Sequence, residues 1–192
     1  SPNFSYFLSK DFDHGLIFLT RKQNFLLLSP LYSLTMPGFK IVHWNNFKKD
    51  FESFVKKNHI RRIGADYNNL FLRQKKFLSK HFKTRDAGKL FDSLRAIKTG
   101  EESANIKQAC RITDEIFKSI ILGLKSKKFK TEKDIAKHMK IMMLEAGCEQ
   151  SFEPIVASAG NGVIAHHEPN ARLMKGFMVL DFGAKHKGYC SD

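Results

Sequence analysis

Between Thr99 and Leu124 the chain is committed to one long amphipathic helix. Thr99 and Glu102 form a T-x-x-E capping box, whose side chains can satisfy two helix amides that otherwise lack partners. Ile106, Ala109, Cys110, Thr113, Ile116, Phe117, Ile120, Ile121 and Leu124 then recur every three or four residues. A second helix opens at TEKD with Thr131 as its cap, runs through Ile135, Met139, Met142 and Met143, and stops at Gly147, a residue suited to the position just past a helix C-terminus. PIVASAG, FMVLDFGA and GYCSD follow and read as strands. The second part of the chain is therefore helix, helix, then sheet.

The first 85 or so residues read as a small α/β domain, with the second unit over 86–192. SPNFSYF is apolar and strand-like, and GLIFLTRKQNFLLLSP has two apolar runs around a polar RKQN turn, a hairpin signature. FKIVHW is a third strand candidate and RRIGAD a short fourth. Phe47, Phe51, Phe54 and Val55 share one face of a helix, and Leu70, Leu72, Phe77, Leu78 and Phe82 share a face of another. The chain holds 18 Phe against one Trp, and phenylalanine at that density serves packing, so the core should be Phe-rich.

A net charge of +14 raises a polyanion as partner. The lysines, however, are spread along helix faces, and the one dense cluster, KSKKFK at 125–130, falls between two expected helices; nucleic acid is not the expected partner. Three cysteines, Cys110, Cys148 and Cys190, are an odd count without a C-x-x-C pair. That argues against a disulfide framework or structural zinc and for a reducing, cytoplasmic setting. The longest apolar run, SIILGL, is far short of the roughly 18 residues that span a bilayer, so no membrane partner is expected. The chain begins without Met and is read as a possible fragment.

MVLDFGAKHKGYCSD closes the chain. If it forms a hairpin turning at His186 and Lys187, Asp181 and Asp192 stand directly opposite, with β-carbons about 5 Å apart. Carboxylates so placed repel, and a divalent cation between them is the economical remedy. Taken alone, such a pair reads more readily as edge-strand solubility or turn chemistry, and the His166–His167 pair as an ordinary polar loop feature.

SFEPIVASAGNGVIAHHEPNARLMKGFMVLDFGAKHKGYCSD, however, resembles nearly residue for residue the first half of the catalytic domain of the pita-bread metallopeptidases, which include aminopeptidase P, prolidase and methionine aminopeptidase. LRAIKTGEESANIKQACRITDEIF resembles the helix that opens this domain in the prolidase and aminopeptidase P branch, and NFSYFLSKDFDHGLIFLTRKQNFLLLSPLY that branch's smaller N-terminal domain. The family's D-x-G motif is matched by Asp181-Phe182-Gly183 and its Y-x-S-D motif by Tyr189-Cys190-Ser191-Asp192. By that resemblance Asp181 chelates one ion and Asp192 bridges two. His166, in AHHEP closed by Pro169, donates a hydrogen bond to the scissile peptide or the tetrahedral intermediate, while His167 faces elsewhere. Ser9 stands where the family often has Gly in a Y-x-T-G stretch. The family completes its site with a later His and two Glu, and His14, His43, His59, His81, His138 and His186 lie in the wrong regions to substitute.

The resemblance implies an α/β (α+β) architecture, a creatinase/prolidase-like N-terminal domain over 1–85 followed by part of a pita-bread catalytic domain over 86–192. It implies a metal-dependent exopeptidase that cleaves Xaa-Pro bonds with two divalent ions (Mn, Co, Zn or Fe), acts on peptides with proline in second position, and forms a homodimer. Residues 1–192 alone are expected to be inactive, and to expose a sheet edge and an apolar face. Two other readings compete. The basic charge suits a catalytically inactive pita-bread module that binds peptide, histone or nucleic acid, but Asp181, Asp192 and His166 are retained. The same aspartates speak against a metal-free, creatinase-like hydrolase.

Overall fold

Seven phenylalanines organise the first of two units into which the chain divides, Ser1–Ile97 and Lys98–Asp192. The computed structural model describes residues 2–8, 15–170 and 172–192; Ser9 and His14 lie outside them. In the first unit, β1 (Gly15–Phe18) and β2 (Asn24–Leu28) form the antiparallel hairpin expected around RKQN, and β3 (Phe39–His43) adds to β2 in parallel. Alternation along β2 sends Phe25 and Leu27 into one apolar cluster and Leu26 and Leu28 into another. Helix α2 (Phe47–Lys57) starts where the Asn46 side chain accepts the Lys49 amide. It buries Phe51 and Phe54 against Phe25, Leu78 and Phe82. Ring pairs such as Phe25–Phe54, with centroids 5.1 Å apart and planes at 78°, have the edge-to-face geometry that aromatic quadrupoles favour. β4 (Arg62–Ala65), α3 (Leu72–His81) and β5 (Lys83–Asp86) complete a parallel strand–helix–strand unit.

The first unit departs from the sequence expectations at its start and at its end. SPNFSYF is not a strand; Pro2–Leu8 is helix α1. Helical spacing lets Asn3 and Phe7 meet neighbours together, Asn3 bonding to Asp66 and accepting from Arg95, and Phe7 lying edge-on to Phe91. Those contacts also explain why α4 (Gly88–Ala96), expected in the second domain, falls in the first unit.

In the second unit α5 (Gly100–Lys125) begins with the expected capping box, Thr99 N–H donating to Glu102 at 2.8 Å and Glu102 N–H to Thr99 Oγ1 at 3.2 Å. Its buried stripe is Ala109, Ile112, Ile116 and Ile120. Cys110 and Phe117, expected inside, are exposed because the stripe faces a single layer formed by Ile135, Met139 and Met143 of α6 (Glu132–Glu145) with Val156 and Phe182. Gly147 follows α6 with φ +66°, the left-handed cap expected of it. Two antiparallel sheets close the unit. One pairs β7 (Ile155–Ser158) with β8 (Met178–Asp181); the other orders β6 (Glu149–Gln150), β9 (Ala184–His186) and β10 (Tyr189–Cys190) with β9 in the middle. Val163, Ile164 and Phe177 are exposed between β7 and β8. No described helix is long and apolar enough to cross a membrane.

Phe51 is the most central ring of the first unit, touching Phe18, Phe47, Phe77, His81 and Phe82. Phe51→Ala should cost about 3–5 kcal/mol in urea unfolding; a loss below about 1 kcal/mol would mean that another residue organises this core.

Candidate metal-binding and substrate-side site

The aspartates occupy two different ladders. Asp181 ends β8, half-buried, and pairs with Ile155 of β7. Phe182 and Gly183 then carry the chain across to β9, which pairs with β10, so that His186 faces Tyr189 and Lys185 faces Cys190. The turn is Lys187–Gly188, with φ +48° and +86°. A two-residue turn with both φ values positive is type I′, and glycine takes its second position at no steric cost. The turn expected at His186–Lys187 would have put His186 and Lys187 in that conformation and left Gly188 in a strand.

The consequence is a shifted register. Ser191 N–H still bonds to Ala184 O at 2.9 Å, and continuing the count sets Asp192 opposite Gly183 rather than Asp181. The direct opposition expected from sequence is not formed. A shift of two positions nevertheless preserves the face.

Three residues of the two aspartate motifs, Gly183, Tyr189 and Ser191, have a visible physical task. A β-carbon at Gly183 would lie 1.9 Å from the Ser191 carbonyl oxygen, so the glycine of D-x-G lets the closing strand pass against it. Tyr189 OH donates to Glu102 Oε1 at 3.1 Å, using the capping box of α5 as an anchor. Buried Ser191 lies 2.7 Å from Thr113 Oγ1 of α5, and its hydroxyl accepts the Ala184 amide at 2.9 Å. Ser151 Oγ lies 2.9 Å from Ala184 O and 3.0 Å from Ser191 O, which share its one proton. Asp192, exposed, follows this fastened residue.

His166 is exposed in the irregular segment between β7 and β8, after a 3-10 turn over Ala159–Val163. His167, expected to face elsewhere, is 7% exposed and turned inward onto Glu132 of α6. Glu132, which sequence reasoning did not single out, is fully buried. Its Oε1 accepts Ser158 N–H at 2.7 Å, Ser158 Oγ at 2.8 Å and Asn161 Nδ2 at 3.0 Å. Its Oε2 takes His167 Nε2 at 2.7 Å and Asn170 N–H at 3.4 Å. An ionised carboxylate only accepts, which assigns the His167 proton to Nε2. Burial pushes the Glu132 carboxyl up, but the Ser158 amide, Asn161, His167 and the Ser158 hydroxyl together outweigh it and hold the group at about 2.

Among the described residues no three of His, Cys, Asp and Glu converge to hold a metal ion. Asp181 and Asp192 are nonetheless the donor type of such a shell, since hard carboxylate oxygens suit a hard or borderline divalent cation.

Residues 104–192 match the family model of Metallopeptidase family M24. An uncharacterized peptidase of Bacillus subtilis is 28% identical over 162 residues, 81% of this chain and 45% of that protein. In structure, an X-Pro aminopeptidase from Thermotoga maritima superposes with a TM-score of 0.87 at 22% identity, covering 99% of this chain and 56% of the other. A recombinant prolidase from Thermococcus sibiricus superposes at 0.78 with 26% identity, over 98% and 56%. The chain spans about half the length of these relatives. It shares the mixed α/β fold of prolidase and aminopeptidase P structures over nearly all its residues, and its second unit carries the M24 sequence pattern. The pita-bread resemblance therefore holds.

Gly183→Ala must push the Ser191 carbonyl aside and should cost about 1–3 kcal/mol, with faster amide exchange at Ser191; an unchanged melting temperature would contradict the close approach. The depressed Glu132 pKa stabilises the fold by on the order of 3 kcal/mol. That contribution is complete above the ordinary value of 4.5 and is lost as pH falls from there through about 2. Unfolding free energy should fall over this window in the wild type and less steeply in Glu132→Gln; parallel pH profiles would contradict the assignment.

Proposed function

We propose, on the premise of the M24 match across the second unit, that this chain supplies the N-terminal domain and the first part of the catalytic domain of a metal-dependent exopeptidase that cleaves bonds preceding proline. The observation that carries the reading is the pair of aspartate motifs in one M24-matching segment, both fastened through α5 and the Gly183–Ser191 crossing. The T. sibiricus relative, a prolidase, supports the Xaa-Pro class.

Asp181 and Asp192 would hold two divalent ions (Mn, Co, Zn or Fe), with Asp192 shared between them. When bound, such a pair lowers the pKa of a water and polarises the peptide carbonyl. His166, exposed beside them in sequence order, donates a hydrogen bond to the oxygen on which negative charge develops, a contribution that grows toward the transition state. The resemblance implies five ligands, of which residues 1–192 supply two, so these residues alone bind ions weakly and lack the Glu that acts as general base. The substrate is a peptide with proline in second position. A homodimer is proposed from the branch resemblance, and the three free thiols support a reducing, cytoplasmic setting. The net charge of +14 favours an inactive, polyanion-binding relative instead. Retention of both aspartates and His166 weighs against that reading.

The test is hydrolysis of Gly-Pro and longer Xaa-Pro peptides by the full-length protein with Mn or Co added. Asp181→Ala and Asp192→Ala should abolish turnover, and His166→Ala should lower kcat about 10²–10³-fold. Residues 1–192 alone should show none; turnover by them that disappears in Asp181→Ala would overturn this division of ligands.

A further inference from the structure

We infer that Glu132 is a positioning residue for His166, acting through His167 and the segment that joins β7 to β8. The inference rests on the proposed substrate-side role of His166.

The geometry begins with an unusual carboxylate. Glu132 is fully buried, and among the described residues no Lys or Arg pairs with it; its side-chain ring partner is His167, through Nε2. A charge so placed costs several kcal/mol of desolvation unless donors replace the water. Five do, and all come from residues 158–170. The same segment is tied to the start of α6 by its backbone. Leu173 N–H donates to Lys130 O, Thr131 and Arg172 form an antiparallel bridge, and Met174 N–H donates to Ser158 Oγ. A long irregular stretch, which of itself would sample many conformations, is thus gathered onto the first helical residue of α6.

His166 is the next residue to His167. Consecutive Cα atoms are about 3.8 Å apart across a trans peptide, so pinning the His167 ring on the buried side fixes the backbone from which the exposed His166 side chain departs. Glu132 need not touch substrate to matter. It sets where the neighbouring imidazole stands, and an error of about 1 Å at a reacting group can cost about 10²-fold in rate.

A purely structural role predicts something different, and a double-mutant cycle separates the two. In the full-length protein Glu132→Gln keeps the shape but presents an amide where donors converge. It should lower kcat for an Xaa-Pro peptide about 10–100-fold in the wild-type background and less than about 3-fold in the His166→Ala background, because there is no imidazole left to misplace. Glu132→Asp, which keeps the charge, should recover part of the loss. Equal losses in both backgrounds, or an unchanged kcat, would overturn the inference. Should Glu132→Gln not fold, Asn161→Ala and His167→Ala each remove one donor and enter the same cycle. In parallel, amide exchange in these variants should accelerate at Ser158, Asn170 and Met174 and stay unchanged at Ile112 in α5. If the wild type cleaves no Xaa-Pro peptide, the peptidase reading fails by itself. The exchange measurement then decides the rest, and unaltered exchange in residues 158–174 overturns the role of Glu132 independently.

Discussion

An ionised carboxylate sealed from water needs a complete set of donors, and that requirement governs how the second unit is assembled. Glu132 sits at the first turn of α6, where the helix dipole already favours negative charge. The dipole alone is worth about 0.3–1 kcal/mol, far less than the desolvation of a buried carboxylate. The deficit is met by Ser158, Asn161, His167 and Asn170, so β7 and the segment after it must approach α6 in one arrangement. Apolar packing of Ile135, Met139 and Met143 against Val156 would tolerate small slides; the carboxylate does not.

The closing hairpin is held by a different device. Hydroxyls do there what the carboxylate does at α6. Ser191, Thr113 and Ser151 share the amide and carbonyl of Ala184 and the carbonyl of Ser191, and Tyr189 reaches Glu102. The two helices thus hold different candidate residues, α5 fastening the strand that leads to Asp192 and α6 fastening the segment that bears His166.

Local signals made much of this legible in sequence. Turn chemistry around RKQN, the Thr99–Glu102 and Thr131 caps, and the helical spacing of Phe47, Phe51 and Phe54 each depend on residues a few positions apart, and each formed as expected. The failures share the opposite property. Helix α1 exists because Asn3 and Phe7 meet residues of β4–α4, dozens of positions away. Glu132 reads as a solvated helix-start residue until the chain more than twenty-five positions later is folded over it. The hairpin error was local but subtle. Moving the turn by one residue, to put Gly188 at a positive φ, changes every cross-strand partner while leaving the alternation of faces intact.

That small displacement bears on how the carboxylates coexist. Coulomb repulsion falls as the inverse of distance, so losing the direct opposition, in which β-carbons stand about 5 Å apart, weakens it. Meanwhile the strand order around Asp192 is set by the Gly183 crossing, the Ser191–Thr113 contact and the Tyr189–Glu102 bond, none of which involves either aspartate. The hairpin therefore has contacts of its own to form on, independent of either aspartate. In the proposed peptidase, the binding free energy of the ions would then be spent on holding and polarising rather than on folding the strands that hold them.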